Sequence, residues 1–246
     1  MEITSEGSEF LGYARNVADQ ADLLHDRYRQ GGSSQVRFVV SSQHYSFAVS
    51  AFIRLIRTFG MEKYDFCLRE TRTRDIIEDV RSLSANMGIL FLSDRNRRTL
   101  SRLFREAELL FCPLASFAPH VFVAASCPLA SQQSVTMEDL AGMPFICFEQ
   151  GSYASDSFSE ELIPNPAGTR IIRVSDRATL FNLLLGMNGY TVASGVISGI
   201  LNPEIASVPL DAQETMEIGI LRRRGVGSGL LCERYEEYLR EELVRG

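Results

Sequence analysis

No stretch of this sequence approaches the roughly 18 unbroken apolar residues that a membrane-crossing helix needs, and its acidic, amphipathic beginning lacks the charged-then-apolar pattern of a secretion signal. Five cysteines (Cys67, Cys112, Cys127, Cys147 and Cys232) form an odd set without a CxxC spacing, which disfavours a disulfide framework and a zinc site alike. Most lie in apolar runs, the pattern of buried free thiols in a reducing cytosol, so a cytoplasmic location is expected. Catalytic signatures are also missing. There is no Gly-x-Ser-x-Gly, no phosphate loop ending in Gly-Lys-Ser/Thr, no HExxH and no close His/Cys/Glu cluster. His25, His44 and His120 stand far apart, outside any catalytic frame. No enzyme activity, metal or cofactor is expected on these grounds.

Positive charge is scarce as well. Lys and Arg total 25 against 31 Asp and Glu, a formal net charge of −6. A chain this acidic does not grip a phosphate backbone unaided, because that affinity comes from basic groups displacing counterions. Two basic runs do not reverse this. In RNRRTLSRLFR (95–105) the arginines recur at helical spacing opposite Leu100, Leu103 and Phe104, the pattern of a solvated outer face. LRRRG (221–225) ends a strand at the surface or at a subunit contact. There is no low-complexity tract and no close internal repeat.

What remains is an ordinary globular composition, 45 % hydrophobic and 23 % charged over 246 residues, enough for one large domain or two small ones. The chain opens on a helix. Phe10, Ala14, Val17, Ala21, Leu24 and Tyr28 are spaced 4, 3, 4, 3, 4, a heptad seam flanked by Leu11 and Ala18. Thr4 or Ser5 serves as N-cap, and RQGGSSQ (29–35) stops the helix in a flexible joint. Small alanine knobs on a strict heptad suit a helix that pairs with another chain, so this seam is read as a dimerisation surface.

From Arg37 onward short apolar runs alternate with amphipathic stretches. Strands are predicted at 37–42, 64–70, 87–94, 109–115, 120–126, 144–150, 169–175, 190–194, 206–211 and 216–223. Helices are predicted at 45–59, 73–85, 97–107, 177–188 and 229–243. Strands in this number, with intervening helices, argue for a mainly parallel α/β architecture built of right-handed crossovers. That number exceeds one small sheet, so two subdomains of about 100 residues each are expected.

Three stretches, in this order, resemble the regulatory half of a LysR-type transcriptional regulator. ITSEGSEFLGYAR is similar to the family's Thr-x-x-Gly followed by an apolar-seamed linker helix. CPLA (127–130) with VTMEDLAGMPFICF (135–148) is similar to its His-Pro-Leu-Ala and Asp-Leu-x-x-x-Pro before a strand; Cys127 replaces the usual histidine. DRATLFNLLLGMNGYTVASG (176–195) resembles its helix–Gly–strand unit, without the proline that often follows. In that family a winged helix-turn-helix of about 60 residues precedes the Thr-x-x-Gly; here only Met1 and Glu2 precede Ile3. The resemblance therefore implies a DNA-reading domain missing from this chain, with DNA reached only through it.

The fold implied is that of type 2 periplasmic binding proteins: two Rossmann-like subdomains joined by two crossover strands, after a long N-terminal helix. The linker and dimerisation helix takes 1–30, subdomain I 36–116 with 213–246, and subdomain II 117–212. The crossings fall near Ser116–Pro119 and Leu210–Gln213. The function implied is sensing of a small-molecule effector in the cleft, in a homodimer or homotetramer.

In open α/β sheets ligands bind beyond the carboxyl ends of strands, where helix N-termini present free N–H groups. Short polar side chains stand at those places. Ser42 and His44 follow the first strand, Thr71 and Thr73 the second, and Ser93 the third. Gln150, Ser152, Asp176 and Ser194 come from the second half. Together they suggest a hydrogen-bonding pocket whose helix dipoles favour an anion, although each also suits simple helix capping. Arg72 and Arg95 offer themselves to an anion, with acidic neighbours as internal partners. Glu160-Glu161 reads as part of a surface helix. A solute-binding protein of a transport system shares the implied fold and is the alternative function.

Overall fold

The computed structural model describes residues 36–59, 63–151, 155–163, 170–197, 202–227 and 229–245. The heptad seam (Phe10, Ala14, Val17, Ala21, Leu24, Tyr28), its helix and joint, and Ser152 lie outside the described residues.

The first strand β1 (Val36–Ser42) leads into α1 (Ser46–Phe59), then β2 (Tyr64–Glu70), α2 (Thr73–Arg81), β3 (Met87–Leu92), α3 (Arg97–Glu106) and β4 (Leu109–Phe117). After these come β5 (His120–Ala124), β6 (Phe145–Phe148), β7 (Ile171–Val174), α4 (Arg177–Met187), β8 (Thr191–Ala193) and β9 (Ile205–Pro209). The chain closes with β10 (Met216–Arg223) and α5 (Leu230–Arg245).

Five strands form the largest sheet, in the order β2-β1-β3-β10-β4. Its centre is legible in β3, where all six residues of MGILFL are buried, the mark of a strand covered on both faces. Alternate residues divide between the two coverings, as strand periodicity requires. Ile89 and Phe91 join Phe38, Ile218 and Ile220 against α1 and α5. Leu90 and Leu92 join Val39 and Leu221 against Ile76, Ile77 and Val80 of α2 and Leu100 and Phe104 of α3. On the first face Tyr235 meets Phe38 edge-on, 5.9 Å between ring centroids, and its buried hydroxyl donates to the Ala48 carbonyl at 2.8 Å. That hydroxyl partner is what lets so large a polar ring sit in the core.

The chain leaves this sheet after β4. β5 lies between β8 and β9 in a three-stranded sheet, and β6 pairs with β7. Returning as β10, it inserts antiparallel between β3 and β4. A register shift at Ile218/Gly219 marks the insertion. A Cβ on Gly219 would stand 2.3 Å from the Phe111 ring and 2.7 Å from the Cys112 carbonyl, so only glycine fits.

Two expectations need correcting. The ten described strands match the ten predicted runs in number but not in direction. Their registers are mostly antiparallel: β3–β10, β10–β4, β5–β8 and β5–β9 are antiparallel, whereas β1–β3 and β6–β7 are parallel. The return of the chain through β10 sets the two antiparallel pairs of the large sheet. Also, α2 ends at Arg81 rather than at residue 85. Leu83 takes a left-handed φ of 61°, and Ala85 N–H bonds back to the Asp79 carbonyl at 3.0 Å, which closes the helix as such C-terminal turns do.

Candidate functional site

The turn from β1 into α1 carries three residues with different partners. Gln43 is fully committed. Its Nε2 donates to Thr73 Oγ1 at 2.6 Å, and its Oε1 accepts from the Tyr45 hydroxyl at 2.7 Å and from Phe91 N–H at 3.1 Å. Tyr45 is buried, and loss of solvation, followed by the nearby Glu160 and Glu161, holds its phenol well above the usual range. His44 reaches away from the large sheet. Its backbone N–H donates to Glu160 Oε2 at 2.9 Å, and its Nδ1 lies 2.8 Å from the same oxygen. The ring stacks on Phe148 at 3.9 Å with 7° between planes. Its other polar contact is the Ser175 backbone. Burial lowers the His44 pKa, but the hydrogen bond and charge of Glu160, with Glu70 and Ser175 behind them, outweigh burial and leave it raised. With acceptors on both sides, the ring is held as an imidazolium.

Glu160 is thereby a hub. Its Oε1 accepts from Gln150 Nε2 at 2.9 Å, and Gln150 Oε1 accepts from Thr73 N–H at 3.2 Å. Thr73 Oγ1 in turn donates to the Phe158 carbonyl at 2.8 Å. Next along the chain, Glu161 accepts from Phe148 N–H and from the Ser159 hydroxyl, both at 2.8 Å. Burial, then the charge of Glu160, push its pKa up to about 7 against those hydrogen bonds. These two glutamates are 7 % and 3 % exposed. The expectation of a surface helix is therefore wrong: Glu160 and Glu161 lie in a turn folded back into the protein, where backbone and His44 donors replace water.

His44, Tyr45 and Ser46 line a pocket together with Met216 of β10. The facing wall comes from Phe122 of β5, Phe148 of β6, Arg177, Leu180 and Phe181 of α4, and Thr191 to Ser194 at the end of β8. The cavity measures about 40 Å³, room for roughly one water rather than an organic molecule. A ligand therefore enters only as the two walls part. A wider groove of about 480 Å³ runs along α2 and α3 beside Gln150 and Gly151. It is lined by charged side chains such as Arg72, which pairs with Glu149, and Arg81, which pairs with Glu78 at 2.6 Å. Those are solvent-screened surface pairs. The small pocket is the better candidate because its polar groups are buried and converge.

The positions expected from sequence divide accordingly. His44 and Ser194 line the pocket, and Thr73 and Gln150 form the network behind it. Ser42 is buried with its hydroxyl on the Gln43 carbonyl at 2.6 Å, and Ser93 is buried with its N–H on Asn96 Oδ1 at 2.7 Å. Thr71 contacts Asp75 at 3.4 Å at the surface. Asp176 caps α4, accepting from Thr179 N–H at 2.8 Å and from the Thr179 hydroxyl at 2.7 Å. None of these four lines the pocket. Arg72 is taken up by Glu149 and Arg95 by Glu214 at 2.8 Å. The His44 side chain is 5 % exposed. Sequence reasoning missed Glu160, Glu161, Tyr45, Arg177 and the three phenylalanines. The adjacent acidic pair two residues after an apolar Phe158 was the available signal.

Among the described residues no group of three or more His, Cys, Asp or Glu is placed to hold a metal ion, and no helix is long and apolar enough to cross a membrane.

Comparison with known proteins bears on this geometry. The family model of the LysR substrate binding domain matches residues 29–244. An uncharacterized HTH-type transcriptional regulator of Escherichia coli K12, YnfL, is 29 % identical over 151 residues, covering 60 % of this chain and 47 % of that protein. The chain thus spans about half the length of that relative. Among solved structures, an OxyR mutant of Corynebacterium glutamicum superposes with a TM-score of 0.60 at 16 % identity, over 98 % of this chain and 75 % of the other. The effector-binding domain of QuiR in complex with shikimate gives 0.56 at 16 % identity, over 85 % of this chain and 97 % of the other. At such identities the structures establish the fold: the type 2 periplasmic-binding-protein-like architecture.

Proposed function

The chain belongs to the LysR substrate-binding domain family, and we propose that it is the sensing and oligomerisation part of a DNA-binding transcription regulator, acting in the cytoplasm. A small molecule enters between two subdomains, 36–116 with 213–246 and 117–212. The observation that carries this reading is His44, which leaves the large sheet to bond Glu160 across a buried pocket. It supports a cleft whose closure is set by a few specific contacts, and hinges of two strands permit such rotations. DNA is reached through a preceding helix-turn-helix domain of the kind the E. coli relative's name denotes. The heptad seam from Phe10 to Tyr28 joins two copies.

A ligand shifts the subunit arrangement only through different affinity for the open and closed forms. The test uses a chain carrying its DNA-reading domain. A metabolite screen by thermal shift is followed by a gel shift on the promoter. A compound at 100 times its dissociation constant adds about 2.7 kcal/mol of stability and is expected to change the footprint of the regulator. Compounds that stabilise this chain yet leave DNA binding untouched would count against the regulator and for a solute-binding role.

A further inference from the structure

Building on the effector reading, the charges around the pocket narrow the class of molecule it takes. Two cations border it, His44 and Arg177, and both are committed. His44 is held by Glu160 at 2.8 Å, and Arg177 Nη2 lies 3.2 Å from Glu70 Oε1. Glu161, which lines the pocket beside Glu160, takes its hydrogen bonds from a backbone N–H and a serine hydroxyl rather than from a cation. A ligand carboxylate would enter with no unspent positive charge to meet it and the carboxylates of Glu160 and Glu70 nearby, a costly burial.

One buried side-chain nitrogen of the lining is unmet. Arg177 Nη1 is buried without a hydrogen-bond partner. The ion pair with Glu70 is close enough to attract but not aligned to bond, so Glu70 Oε1 is also unsatisfied; that residue stands behind the lining rather than in it. A guanidinium nitrogen only donates, so the ligand atom that satisfies it must be an acceptor. Around it the wall is apolar: Phe122, Phe148, Leu180, Phe181, Val196 and Met216.

We infer that the pocket takes an uncharged, mainly apolar small molecule whose carbonyl or hydroxyl oxygen accepts from Arg177, in place of the anion suggested by the polar strand ends. Such a ligand satisfies the orphan donor and adds no charge. Its hydrocarbon part packs on the phenylalanines as the walls part to admit it.

Matched probes test this: benzamide, benzoate and benzylamine, with hexanamide, hexanoate and hexylamine as a flexible set. Binding to this chain is read by calorimetry and thermal shift at neutral pH. The amides are expected to bind at least about tenfold tighter than the carboxylates, which bury an uncompensated charge, and than the protonated amines, which have no acceptor for Arg177. Arg177→Lys keeps a cation beside Glu70 but removes the fork, and should erase the amide preference. Phe181→Trp fills the pocket without touching the ion pair, and should remove binding of all six. Preference for a carboxylate or an amine overturns the inference and leaves the effector reading standing. Failure of all six to bind at millimolar concentration also overturns it, and the promoter gel shift then judges the effector reading separately.

Discussion

His44 Nδ1 and Glu160 Oε2 lie 2.8 Å apart with side chains 5 % and 4 % exposed, a buried ion pair joining the end of β1 to the turn after the Asp156–Phe158 segment. Removing one partner of such a pair strands the other charge out of water. His44→Gln and Glu160→Gln are each expected to destabilise the chain by about 3–5 kcal/mol, and the double variant by less than the sum. Urea unfolding of the four proteins in a double-mutant cycle measures this. Simple additivity would mean that the pair contributes no coupling.

The pair and its neighbour also make stability depend on pH in one direction. His44 has a raised pKa, so its stabilisation is full below the unfolded value and is lost as pH rises through the folded one. Glu161, pushed up to about 7, keeps its proton in the native state while the unfolded chain has released it. Its ionisation between pH 4 and 7 therefore also costs stability. Unfolding free energy is expected to fall from pH 5.5 to pH 8. Glu161→Gln retains both hydrogen bonds, with the amide oxygen on Phe148 N–H and the amide N–H on Ser159, and removes the charge. At pH 8 it should stabilise by about 2–4 kcal/mol, with the gain vanishing near pH 4. A variant no more stable than its parent at pH 8 would show that the buried carboxylate is not under strain.

Asp176 separates capping from ligand binding. Both carboxylate oxygens bond Thr179, and these bonds hold its pKa below the usual range. Asp176→Ala is expected to lower the thermal midpoint by a few degrees through the lost cap and Asp176→Asn to restore most of it, with probe affinity unchanged in both. A large loss of affinity at constant stability would return Asp176 to the site.

Elements with strong periodicity were readable in advance because a single physical demand sets them. The six-residue apolar run of β3 is a burial pattern that any packing partner satisfies. Strand direction was not readable, since MEIGILRR carries the same pattern whether it runs parallel or antiparallel to β3. The site was half legible. His44 and Ser194 follow from the rule that ligands meet the ends of strands. Glu160 and Glu161 do not, because an adjacent acidic pair ordinarily faces water. Only the fold brings to them the N–H groups of His44 and Phe148 that make burial tolerable.

The cysteines give a last prediction, on reactivity. All five are free thiols; Cys127, Cys147 and Cys232 are buried, and Cys67 and Cys112 half-buried. Burial first, and then the nearby Glu161, push the Cys147 thiol up to about 12, so its thiolate fraction at pH 8 is about 10⁻⁴. Burial raises Cys232 as well. Although Cys147 lies in the strand that carries Phe148 into the pocket, it is expected to resist thiol reagents and peroxide in the folded chain. Titration with a disulfide reagent should label Cys67 and Cys112 first and Cys147 only on unfolding, as mass spectrometry of the labelled peptides will tell. Rapid native-state modification of Cys147 would mean that the β6 region opens to solvent, and that the pocket beside it breathes more widely than the closed geometry implies.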